Sequence, residues 1–154
     1  MPPACSGCGS VAPEGEAGCQ ATFDELCVRN PGGIPSYQVR RTLVDAYALQ
    51  HPDRYCASGK SFAAHLTGLC CTFEHGSHPS VLEAVQRWLN GPRKLEKPEI
   101  PSSRGGVTLA DVQGARDSQV LALAVEKWAR STWEAYSALH PLARRWIQEA
   151  LARR

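Results

Sequence analysis

The sequence predicts an all-α protein, a bundle of about five to six helices led by a zinc-knuckle-like segment at the N-terminus. Three observations predict it. Apolar residues recur at three- and four-residue steps through most of the chain, no stretch alternates apolar and polar residues as a half-buried strand does, and Cys5-Ser6-Gly7-Cys8-Gly9 places two thiols on one tight turn.

The elements follow in order. A Gly- and Pro-rich knuckle runs to about Gly18, and Phe23, Leu26 and Val28 then form a short apolar segment, read as a helical turn, that Pro31-Gly32-Gly33 breaks. From about Ser36, Val39, Leu43, Ala46, Tyr47 and Gln50 keep helical spacing until Pro52. The next helix starts at Ser58 or Ser61, each a good N-cap, carries Phe62, Leu66, Leu69 and Phe73, and closes at Gly76. Pro79 suits a first helical position, and Val81, Leu82, Val85, Trp88 and Leu89 follow until Asn90-Gly91-Pro92. Residues 91–106 have too few apolar groups to pack and read as a surface loop. Thr108-Leu109-Ala110-Asp111 resembles a capping box that opens a short helix ending at Gly114. A long helix then runs from Ser118 to about Leu139, and after Pro141 a last one carries Leu142, Trp146, Ile147 and Leu151.

A length of 154 residues suits one domain, 1–154, with the Cys-rich knuckle at 1–30, a first helical part at 36–90, the loop at 91–106 and C-terminal helices at 107–154. Such a chain buries about 68–70% of its unfolded surface, so a core forms without staples. Lys and Arg number 17 against 15 Asp and Glu, a net charge of +2 that is too weak a field to favour nucleic acid. The short basic pairs, Arg40-Arg41 and Arg153-Arg154 among them, read as solvated helix faces. No window is apolar enough to span a membrane, and the first residues have no leader pattern. With an adjacent pair, Cys70-Cys71, among seven cysteines, a reduced, cytoplasmic setting is expected.

In that setting clustered cysteines point to metal rather than disulfides. Cys5, Cys8 and Cys19 are the expected zinc ligands, with Cys27, His51 or His65 as the fourth. Four protein ligands make a closed structural site, and an open position makes a Lewis acid. Three of the five histidines, His51, His78 and His140, precede proline and belong at helix ends, His78 in an exposed turn. His65 sits on the edge of an apolar helix face and Asp45 within an apolar run, where Arg41 at i−4 offers a surface ion pair. Asp45, His51, His65 and His140, converging in the bundle near Tyr47, would make a catalytic set. Gly59-Lys60-Ser61 lacks the earlier glycine and strand of a phosphate loop. Cys70 and Cys71 read as small core residues, and the four tryptophans as packing anchors.

The run Val44-Asp45-Ala46-Tyr47-Ala48-Leu49-Gln50-His51-Pro52, with Ser61 to Cys70 after it and the Cys5 to Gly9 knuckle before it, resembles a bacterial family classed as a domain of unknown function. The resemblance extends to Cys19 ahead of Phe23-Asp24 and spans nearly the whole chain, while a histidine expected near Arg40-Arg41 is missing. It implies a shared helical fold and a shared polar site, and no established chemistry. The functional expectation is a zinc-binding helical protein with a pocket for a small-molecule ligand. The alternative is a metal-dependent enzyme acting on a small molecule. A nucleic-acid module is disfavoured by charge.

Overall fold

A computed structural model of the chain describes residues 3–12, 14–28 and 36–153; the Pro31-Gly32-Gly33 break and Arg154 lie outside them. Among the described residues are eight α-helices: α1 (Glu16–Val28), α2 (Tyr37–Gln50), α3 (Pro52–Tyr55), α4 (Gly59–Glu74), α5 (Pro79–Leu89), α6 (Leu109–Val112), α7 (Ser118–Ala135) and α8 (His140–Ala152). A 3-10 turn, Ser137–Leu139, joins the last two. The only strand-like pairing described is a single antiparallel bridge between Ala4 and Val11, which pinches the knuckle shut. No described helix is long and apolar enough to cross a membrane.

The organising element is α2, which packs against α7 on one side and α4 on another. Thr42, Leu43 and every residue from Asp45 to Gln50 are buried, so the second half of this helix is enclosed on all sides rather than amphipathic. Its polar residues therefore need partners inside the protein. Gln50, with no exposed surface, accepts from Trp128 Nε1 at 2.8 Å and donates to the carbonyls of Arg104 at 3.0 Å and Val107 at 2.8 Å. That amide thereby ties α7 and the loop after α5 to the centre. Around it Trp128, Phe62, Tyr136 and Trp146 fill the core, with α8 closing over α4 and α5.

Local sequence explains most boundaries. Ser58 accepts from the Ser61 backbone N–H at 3.0 Å while the Ser61 hydroxyl receives the Ser58 N–H at 3.0 Å, so the two serines form one reciprocal cap. Thr108 and Asp111 do the same for α6. His78 caps α5, its Nδ1 accepting the Ser80 N–H at 3.2 Å, and is exposed as expected. The loop after α5 has no regular structure, but Leu95, Ile100 and Val107 pack onto the core, so it is more than a surface connection.

Four features differ from the sequence reading. The turn expected near Phe23 is a full helix of 13 residues, because Cys19 begins the inward stripe that Phe23 and Leu26 continue. A single turn, α3, follows Pro52. The long helix ends at Ala135 rather than Leu139, and the chain continues as 3-10. His140 stands at the start of α8, the helix end expected, but its backbone is helical, at φ −57° and ψ −43°, although Pro141 follows. The penalty of proline on its predecessor is offset there: the imidazole stacks on Trp133 with ring centroids 3.6 Å apart, and Nε2 donates to the Trp133 carbonyl at 2.7 Å.

Candidate metal centre

The knuckle is built by backbone hydrogen bonds before any metal is considered. The Cys5 N–H donates to the Ser10 carbonyl at 2.8 Å and the Gly9 N–H to the Cys5 carbonyl at 2.9 Å, a turn that points both thiols to one side. The third thiol, Cys19, is carried by the first turn of α1. The end of α2 then brings in His51, whose ring lies against the knuckle at Gly7. Gly7 is required at that contact, since a Cβ would collide with His51 Cδ2 and stand 3.0 Å from the Gln50 carbonyl.

Cys5, Cys8, Cys19 and His51 thus meet, with the three sulfurs and one ring nitrogen all within 4.8 Å of one another. Cys5 Sγ is 3.4 Å and Cys19 Sγ 3.6 Å from His51 Nε2, and the sulfurs of Cys8 and Cys19 are 3.8 Å apart. A tetrahedron with bonds of about 2.3 Å to sulfur and about 2.0–2.1 Å to nitrogen has edges of roughly 3.8 Å between sulfurs and roughly 3.5 Å between sulfur and nitrogen. The donor set and these three spacings therefore suit one tetrahedral ion.

The surroundings prepare His51 for that role. Its Nδ1 donates to the Tyr47 carbonyl at 2.7 Å, which leaves the Nε2 lone pair facing the sulfurs. Tyr47 stacks on the imidazole at 3.9 Å between centroids, Phe23 stacks on Tyr47 at 3.8 Å, and the Tyr47 hydroxyl donates to Cys19 Sγ at 3.6 Å. Arg104 donates to the Gly7 carbonyl at 2.8 Å, fastening the knuckle to the loop after α5. Without an ion, the hydrogen bond shared with Cys19 holds the Cys8 thiol far below its ordinary value, and Cys19 is pushed up.

Of the three alternatives for the fourth ligand, His51 is the one that stands with the cysteines. Cys27 lies on the last turn of α1 outside the cluster, its thiol pushed up by burial. His65 is on α4, where its Nδ1 meets Asp45 Oδ1 at 2.9 Å. The four residues considered as a catalytic set do not converge: His51 joins the cysteines, Asp45 and His65 pair with each other, and His140 rests on Trp133. On a helix, positions 45 and 51 lie about 120° apart around the axis, which separates the two groups onto different faces of α2. Arg41 does bond Asp45 at 3.4 Å, yet this is not a surface pair, since Asp45 is 5% exposed. Sequence reading passed over Gly7, Arg104 and the stack of Phe23 on Tyr47. Only the glycine between the two cysteines carried a signal, and it reads as a turn residue until His51 is known to lie against it.

A family model described as a family of unknown function, DUF5946, matches residues 3–137, a span that includes all four clustered positions. The chain belongs to that family. No curated protein and no solved structure matches it.

Proposed function

We propose that this member of the DUF5946 family is a zinc-stabilised helical protein that binds a small molecule, in which the ion is structural. The observation that carries the reading is that Cys5, Cys8, Cys19 and His51 bring four ligand atoms within 4.8 Å of one another, three of the spacings, 3.4, 3.6 and 3.8 Å, being close to the edges of a zinc tetrahedron. Three thiolates and an imidazole suit zinc better than magnesium or calcium, which take oxygen ligands. Four protein ligands close the coordination sphere, the arrangement of structural rather than catalytic sites. When bound, the ion would supply a cross-link joining the knuckle, α1 and the end of α2.

Elemental analysis of protein purified under reducing conditions tests this. One zinc per chain is expected in the wild type and in His65→Ala, with loss in Cys8→Ser and His51→Ala. Absence of metal from the wild type, or its retention in His51→Ala, would overturn the reading. The metal-dependent enzyme remains a second reading only through one observation, the partly buried Asp45–His65 pair on a different face of α2.

A further inference from the structure

Asp45 is an expensive residue to place where it is. Its carboxylate is 5% exposed, and burial pushes its pKa up against the lowering influence of His65 and Arg41. The α4 backbone makes room for it at Gly68, where any Cβ would strike Asp45 Oδ2. Local packing does not need this arrangement, since an apolar residue at either position would fill the gap between α2 and α4 at lower cost.

The carboxylate orients His65. With Oδ1 accepting from Nδ1 at 2.9 Å, the imidazole is held with Nε2 as an acceptor, and no described residue bonds that nitrogen. The side chain is 20% exposed and lines a cavity of about 230 Å3 between α2, α4 and α5, walled by Leu82, Val85 and Leu89. Tyr37, 76% exposed, stands at the mouth.

The charges around the cavity select its occupant. Arg41 spends its terminal N–H groups internally: one nitrogen donates to Asp45 at 3.4 Å and the Gly68 carbonyl at 3.2 Å, the other to Thr72 at 2.9 Å and Ser77 at 3.2 Å. The Nε–H has no partner but is buried, so no accessible guanidinium edge is left for an anion, and the guanidinium beside the carboxylate disfavours a cation. A second metal lacks ligands, because the described residues hold no cluster of three donors here. What remains is a neutral molecule with an apolar body and one proton to donate.

We propose that the Asp45–His65 pair is the proton-accepting wall of a small-molecule site that takes neutral hydroxyl compounds with an apolar body, phenols by chemical class. The ligand hydroxyl donates to His65 Nε2 and the apolar body lies against Leu82, Val85 and Leu89. Asp45 is a positioning residue, which fixes the tautomer and does not touch the ligand. The site deepens the ligand-binding half of the proposed function and does not depend on the zinc.

The test uses full-length protein labelled with 15N-histidine and titrated with phenol at millimolar concentration. The expected result is a His65 ring with its proton on Nδ1, whose Nε2 resonance moves saturably, and binding at least about tenfold weaker for toluene, which has no proton to donate. His65→Phe should lose phenol binding while keeping its fold by circular dichroism. Leu82→Trp should lose it by filling the cavity while the Nδ1–H tautomer persists. No saturable shift in the wild type, or unchanged phenol affinity in folded His65→Phe, would overturn the site. Zinc content measured on the same samples separates the two ideas, since phenol binding by zinc-free protein would sink the metal reading alone.

Discussion

Seven cysteines of one chemical type have different properties because their neighbours differ. Cys8 shares a hydrogen bond with Cys19 and is held far below the ordinary thiol value, whereas burial pushes Cys56 and Cys70 to about 12 and Cys71 to about 11. A lowered value means thiolate at neutral pH and a raised one means thiol, and only the thiolate is alkylated. In chelator-stripped protein iodoacetamide should therefore label Cys8 at a rate that stays flat between pH 6 and 8, where an ordinary thiol gains about tenfold per pH unit. Cys56, Cys70 and Cys71 should stay unlabelled until the protein unfolds. Peptide mapping checks this, and a Cys8 rate that climbs with pH would show that the hydrogen bond shared with Cys19 does not control it.

Helix α1 depends on the knuckle in a way the other elements do not. Its main helical neighbour is the one-turn α6, while α2, α4, α5, α7 and α8 pack extensively on one another. Three residues, Cys19, Phe23 and Leu26, provide its inward face, and the first of them belongs to the Cys/His cluster. Stripping the metal should then make the knuckle and α1 open more often, while they stay formed on average, and leave the rest unchanged. Hydrogen exchange should show protection in 3–12 and α1 falling by at least about tenfold, about 1.4 kcal/mol, with α2, α4 and α7 unchanged. Equal loss across α4 and α7 would instead make the metal a requirement of the whole fold. The helix itself was hard to read from sequence because its stripe starts at a cysteine already counted as a ligand. Helices α4 and α5, by contrast, were legible to within a residue or two, since their caps, Ser58 with Ser61 and His78 with Pro79, are local signals.

Across the molecule the tie between distant segments is Gln50. It links α2 to α7 and to the loop whose Arg104 holds the knuckle at Gly7. Gln50→Leu keeps the volume and leaves the Trp128 N–H and two carbonyls without partners. The expected cost is about 3 kcal/mol, or about 6–12 °C in Tm for a chain of this length. Thermal unfolding measures it, and a change below about 1 kcal/mol would mean that water or a local shift replaces all three bonds. A fall in zinc affinity should accompany the loss, because the same loop positions the knuckle.

The sequence by itself determined the all-α class, the order of the long helices and three of the four residues of the Cys/His cluster. Those depend on short-range rules: helical periodicity, capping residues and the entropy advantage of two thiols on one turn. Tertiary structure decided what spacing cannot express. It placed His51 rather than Cys27 beside Cys5, Cys8 and Cys19, because the buried α2 ends where the knuckle docks and Gly7 leaves room for the ring. It divided the polar residues of α2 between two faces, sending His51 to the sulfurs and Asp45 to His65. Which residues meet across 20 or 46 positions depends on how enclosed helices pack around a shared core, and that is a property of the assembled whole.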